Sequence, residues 1–163
     1  MRRDKEVRIG EYVEPAGLRN YPYTSHVKKN PSHILMLNDN EWASDPHNIG
    51  EVWASMLFEM HWNLVRKLGF TSDKHSADIT KGNTLALKLV TDGLMLQPCF
   101  PTFVDARNAI IQAEMILTRG EHRCELWTAF ARRGLGLDAQ TDRSMKTVVA
   151  GYAVPKECGS PKA

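Results

Sequence analysis

Histidine, cysteine and acidic side chains have the chemistry to hold a metal ion or to move a proton. Six histidines occur: His26, His33, His47, His61, His75 and His122. No two stand four residues apart, the HExxH spacing that puts two imidazoles on one helical face with a glutamate as general base. Glu59 and His61 are two apart, which points them to different sides of a helix. The three cysteines, Cys99, Cys124 and Cys158, form no CxxC pair. No GxSxG elbow, phosphate-binding loop or dinucleotide fingerprint occurs, and Gly134-Leu135-Gly136 reads as a helix stop and turn. Spacing alone assigns no metal site and no reaction.

The composition narrows the classes. A length of 163 residues suits one domain, and 42% apolar with 25% charged residues is enough to bury a core. The formal net charge is +2, with basic residues dispersed apart from short clusters such as Arg132-Arg133, so no nucleic-acid footprint is present. No run approaches the roughly 20 apolar residues of a membrane helix. The charged start at Met1-Arg2-Arg3 has no apolar stretch behind it and does not read as a signal peptide; taken literally, such a chain stays in the cytosol. An odd cysteine count fits free thiols, or one pair plus a thiol that lacks its partner.

The elements that must position any site are mainly helices. Residues 1–47 read as a loop-rich segment punctuated by Pro15, Gly17, Pro22, Pro31 and Pro46, with Ile34–Leu37 as a strand or short helix. From Asn48 the pattern changes. Ile49, Val52, Trp53, Met56, Leu57, Met60, Leu64 and Leu68 recur at helical spacing up to a stop at Gly69, with Glu51 in the first turn. A second helix is expected over 84–96, weakened by Gly93 and ended before Pro98. Thr102 and Asp105 open a third in capping-box fashion, running to about Leu117. A fourth covers 121–133 and buries Trp127 and Phe130, with Arg132-Arg133 at its negative end. Val148-Val149 is a short strand or strap. The expected architecture is mainly α: a segment 1–47, then a helical subdomain 48–163.

Several segments together resemble the C-terminal half of the fungalysin family of secreted zinc metalloendopeptidases. They are Ile9–Tyr12, Gly17–Tyr23 and, most strongly, His47-Asn48-Ile49-Gly50-Glu51-Val52-Trp53-Ala54-Ser55-Met56-Leu57. Leu87–Val90, Leu96–Arg107 and Cys124–Gly136 follow in the same order. The resemblance implies the helical C-terminal lobe of a thermolysin-like metallopeptidase, with the HExxH motif and a downstream glutamate on an N-terminal catalytic lobe upstream. It implies a zinc cofactor, protein or peptide substrates, a zymogen with signal peptide and propeptide, and an extracellular location. Neither nucleic acid nor membrane is an implied partner.

The resemblance also assigns roles. His47 matches the histidine that hydrogen-bonds the oxyanion of the tetrahedral intermediate, where an imidazole donor stabilises developing charge. Asp45 is the candidate acid to orient its ring, with Glu41 and Asp39 as alternatives. Arg19 matches the arginine that holds the substrate carbonyl on the primed side, and Leu18 beside it matches the wall of the apolar pocket there. On the residues alone, His47 is a polar side chain near a helix start and Arg19 a surface cation. Trp53, Trp62, Trp127 and Phe130 read as core, His61 as a substitution for an apolar residue, and Arg107, Arg132 and Arg133 as solvated or helix-end charges. Cys99 and Cys124 flank a helical hairpin and are expected to pair in a secreted protein, leaving Cys158 for a partner upstream. With no HExxH in the sequence, the chain alone is expected to be inactive. The other reading is a catalytically inactive truncated paralogue acting as a helical binding module.

Overall fold

The computed structural model describes residues 6–144 and 146–159. The outer limits of the two expected segments, 1–5 and 160–163, lie outside the described residues. Four helices carry the fold, and the change from loop to helix falls at Pro46, where α1 (Pro46–Leu68) begins. Asp45 caps it by accepting a hydrogen bond from the His47 amide. Pro46 occupies the first turn, where its missing N–H costs nothing and its fixed φ suits the helix. The helix thus starts two residues before the expected Asn48, and Glu51 falls in the second turn. Val52, Met56, Met60 and Leu64 are fully buried along one stripe.

Helix α2 (Gly82–Leu96) packs on α1, and α3 (Phe103–Thr118) packs on α2. Leu85 and Leu89 are the buried side of α2. Gly93, a weak point on propensity, is there for close approach: a Cβ on it would sit 2.7 Å from Ile110 Cγ1 on α3. The α3 start is a complete capping box, with the Thr102 hydroxyl accepting from the Asp105 amide and Asp105 accepting from the Thr102 amide. Such a cap is worth roughly 1 kcal/mol. Helix α4 (Arg123–Arg132) packs against α1, burying Leu126, Trp127, Ala129 and Phe130. Among the described residues no helix is long and apolar enough to cross a membrane.

The loop-rich segment is tied down by side chains. Ile34–Asn38 forms a 3-10 helix, with Ile34 and Leu37 in the core. Behind α4, strands β1 (Gln140–Thr141) and β2 (Val148–Val149) pair antiparallel. Asn38 bonds both backbone groups of Val148, at 2.8 and 2.7 Å, joining the start of the chain to its end.

Three sequence expectations are corrected. The disulfide joins Cys124 to Cys158, tying the 3-10 turn Lys156–Cys158 to α4, while Cys99 is free and exposed rather than bonded to Cys124. Flanking a hairpin does not bring two thiols together; the returning tail does. Arg133 is almost wholly buried and not a solvated helix-end charge. Its Nη1 donates to the carbonyls of Asn30 and Ser32, and its Nη2 to the Thr24 carbonyl and to Glu59 Oε1 at 2.9 Å. Arg107 is buried too, donating to the Leu135 and Gly136 carbonyls and lying over the Trp127 ring. Burial lowers its pKa to about 10. Arg132, by contrast, is exposed as expected.

Candidate functional site

The candidate residues come from two places 26 or more positions apart: a loop near the start of the chain and the first turn of α1. Val7 and Tyr23 exchange both backbone hydrogen bonds, closing the loop between them. Inside it, the Leu18 amide donates to the Ile9 carbonyl at 2.7 Å. Gly10 has φ +79°, and a Cβ there would lie 2.5 Å from Leu18, so the absent side chain makes room for the leucine. Leu18 itself is half exposed.

On the helix side, one carboxyl oxygen of Asp45 does two tasks. Asp45 Oδ1 accepts the His47 backbone N–H at 2.8 Å and lies 2.9 Å from ring Nδ1. The N-cap therefore sets the position of the ring as well as the start of the helix. These two bonds to His47 come first among the causes that hold the Asp45 carboxyl below its ordinary range, and the Arg19 charge adds to them. Neither of the other two acids is recorded against the His47 ring. Asp39 Oδ1 accepts from the Glu41 and Trp42 amides, and Glu41 supplies its carbonyl to Ser44.

Leu18, Arg19, Asp45 and His47 line one cleft of about 650 Å³, together with Ile9, Gly17, Asn20 and Asn48. The His47 side chain is 71% exposed and faces open space. Arg19 is half-buried, and its Nε is a buried donor with no hydrogen-bond partner among the described residues. A fixed imidazole, a guanidinium and an apolar leucine wall suit a peptide: donors for its carbonyls, an apolar surface for a side chain. Among the described residues no three His, Cys, Asp or Glu side chains gather to hold a metal ion. The donors among the described residues do not by themselves fit a zinc centre.

A mainly helical lobe presenting an aspartate-held histidine at the mouth of a cleft is the frame of the site. The chain belongs to the fungalysin family of metallopeptidases: the sequence model described as Fungalysin metallopeptidase (M36) matches residues 1–139. It is 46% identical over 155 residues to the Probable extracellular metalloproteinase 5 of Arthroderma benhamiae, an alignment covering 91% of this chain and 24% of the relative. The Extracellular metalloproteinase 5 of Trichophyton rubrum is 45% identical over the same length and the same shares. The Extracellular metalloproteinase MEP of Pyricularia oryzae is 46% identical over 152 residues, covering 89% of this chain and 24% of its own. The chain spans about a quarter of the length of the curated relatives it matches.

One residue behind the cleft, Glu51, was expected only as an acid in the first turn of α1. Glu51 is fully buried, and its carboxyl accepts from the Asn20 amide at 2.7 Å, the Tyr21 amide at 3.4 Å and the Ser32 hydroxyl at 3.0 Å. The signal was present: Glu51, Ser55 and Glu59 are spaced four apart beside the buried stripe of α1, so all three face the interior. His61, on the flank of the same helix, is half-buried edge-on to Trp62, and burial lowers its pKa.

Proposed function

We propose that this chain contributes the helical C-terminal lobe of a secreted zinc-dependent endopeptidase that cuts internal peptide bonds of proteins. The zinc would be held by residues other than those described here, on a catalytic lobe that completes the cleft, and would supply Lewis-acid and nucleophile chemistry there. The residues of this chain bind and orient. His47, its Nδ1 turned to Asp45, offers Nε2 to the carbonyl oxygen of the scissile bond as that oxygen gathers charge. Arg19 grips a backbone carbonyl of the substrate beyond that bond, and Leu18 lines the pocket for an apolar side chain. The observation that carries this reading is the Asp45–His47 pair standing in one cleft with Arg19 and Leu18.

The test is a graft. Residues 1–163 replace the matching quarter of the Trichophyton rubrum metalloproteinase, and cleavage of an internally quenched peptide is followed. The expected result is turnover with the unaltered segment, a fall in kcat of about 10²–10³ for His47→Ala, and a rise in KM exceeding the fall in kcat for Arg19→Ala. A correctly folded graft that does not cleave, or one in which His47→Ala retains its rate, sinks the proposal. It would leave the chain as an inactive paralogue, a helical binding module.

A further inference from the structure

Two acids sit fully inside this chain on the same face of α1, and they are neutralised in different ways. Glu59 meets a cation, Arg133, at 2.9 Å. Glu51 meets no ion-pair partner among the described residues; its carboxyl is satisfied by two backbone amides and a hydroxyl. A buried polar group costs several kcal/mol when unpaired, so a glutamate held this way exists for what it bonds. The two amides belong to Asn20 and Tyr21, directly after Arg19. Glu51 is itself one helical turn below His47, on the helix that Asp45 caps. We propose that Glu51 is a positioning residue. Its buried carboxyl hangs the Arg19 loop on the helix that carries His47, and so sets the separation of the two groups.

This inference rests on the peptidase reading for its use, although not for its geometry. A helix keeps His47 and Glu51 at constant separation, about 6 Å along the axis for a rise of 1.5 Å per residue. The Asn20 amide lies 2.7 Å from Glu51 Oε2, and the neighbouring residue is Arg19. A second tie runs from Asn20 Nδ2 to Asn48 Oδ1 at 2.7 Å, one residue past His47. Ser32 donates to the other carboxyl oxygen at 3.0 Å, so that Oε2 is left to the two amides. A leucine at position 51 would fill the same space and leave both amides and the Ser32 hydroxyl without a partner. The length of substrate backbone that spans His47 and Arg19 is therefore a property of this carboxyl.

Amide hydrogen exchange on the ¹⁵N-labelled 163-residue chain tests the geometry, and peptide kinetics in the graft test its use. In the unaltered chain the Asn20 and Tyr21 amides exchange slowly, unlike unbonded amides of the same loop. Glu51→Ala speeds both by about tenfold or more, the loss of one net hydrogen bond, and moves the Arg19 and His47 resonances while protection along α4 persists. Glu51→Gln restores protection, its carbonyl taking the two amides and its NH₂ turning to the Ser32 hydroxyl. Ser32→Ala leaves both amides slow. In the graft, Glu51→Ala raises KM about tenfold with a smaller change in kcat, and Glu51→Gln returns KM toward the starting value. A merely structural role would lower the concentration of folded sites and leave KM unmoved.

Unchanged exchange at Asn20 and Tyr21 in Glu51→Ala, or a fall in kcat with constant KM, overturns the proposal. If that variant does not fold, fast exchange of these amides in the unaltered chain overturns it as well, and loss of slow exchange at the Tyr21 amide in Asn20→Pro, which removes the neighbouring donor to Glu51, sustains it. An inactive graft with the exchange pattern intact would count against the peptidase reading alone.

Discussion

Helix α1 carries two hydrogen-bonded acid–base pairs, Asp45–His47 at its start and Glu59–Arg133 roughly 18 Å further along its axis. Both measure 2.9 Å, so distance does not separate them. Burial does. The Arg133 and Glu59 side chains are 2% and 1% exposed, whereas those of His47 and Asp45 are 71% and 51% exposed. In the first pair every strong donor contact runs to the protein: three carbonyls from the loop-rich segment and one carboxylate. It fastens residues 24–32 to α1 and α4. In the Asp45–His47 pair one oxygen orients a ring whose other edge faces open space, and so exposed a contact adds little to folding. The buried pair is architecture, and the exposed one is free to act on something that enters the cleft. Glu51 lies between them in both senses: buried like the first, but bonded to the loop of the second.

The comparison breaks most sharply at Arg133. Arg133→Ala removes the 2.9 Å donor to Glu59 and the donors to the buried carbonyls of Thr24, Asn30 and Ser32, and a loss of about 3–5 kcal/mol is expected from chemical denaturation. His47→Ala should stay within about 0.5 kcal/mol of the starting stability, since the ring holds no buried partner. Equal losses from the two substitutions would end the distinction. Next in size is the Cys124–Cys158 bond, which closes a separation of 34 residues. Cys158→Ser is expected to cost about 2–4 kcal/mol, read as a drop in the denaturation midpoint, while Cys99→Ser leaves it unmoved. A dependence on Cys99 instead would contradict the pairing.

The smallest effect sharpens the exposed pair. The Asp45 carboxyl is held below its ordinary value of 3.8 by its bonds to His47. A depressed acid contributes what stability it has above the unfolded pKa and loses it as pH falls through the folded one. Asp45 should therefore remain ionised, and the ring remain held, until the pH drops beneath 3.8. Carboxyl carbon shifts measured during an acid titration report this directly. The midpoint should rise only part of the way toward 3.8 in His47→Ala, because the backbone N–H of residue 47 still donates to Asp45, and an unchanged midpoint in that variant would show the ring unattached.

Most of the helical frame was legible because it is periodic. Val52, Met56, Met60 and Leu64 mark α1 by spacing, and Thr102 with Asp105 marks the start of α3 by local hydrogen bonding. The boundaries moved where a side chain decided them: Asp45 and Pro46 began α1 earlier, and Arg133 left α4 for its buried seat. The candidate residues Leu18, Arg19, Asp45 and His47 were named by resemblance to a family, since their spacing has no period to betray them. Arg107 and Arg133 were misread because a cation beside a helix end looks alike whether its carbonyl partners are water or distant backbone. The disulfide was misassigned for a related reason: thiol proximity across a folded tail leaves no trace in local sequence.

What the sequence determined by itself is therefore local: where helices form, which stripe each buries, where caps and glycine stops fall. These follow from bonds within a few residues and from the 3.6-residue period. The tertiary structure alone decided which distant groups meet. It brought the Arg19 loop to the start of α1 through Glu51, the tail to α4 through Cys158, and residues 24–32 to Arg133. Those contacts depend on how the helices pack, and packing is a property of the whole chain. The histidine and its aspartate needed only two residues of sequence to find each other; the cleft around them needed the fold.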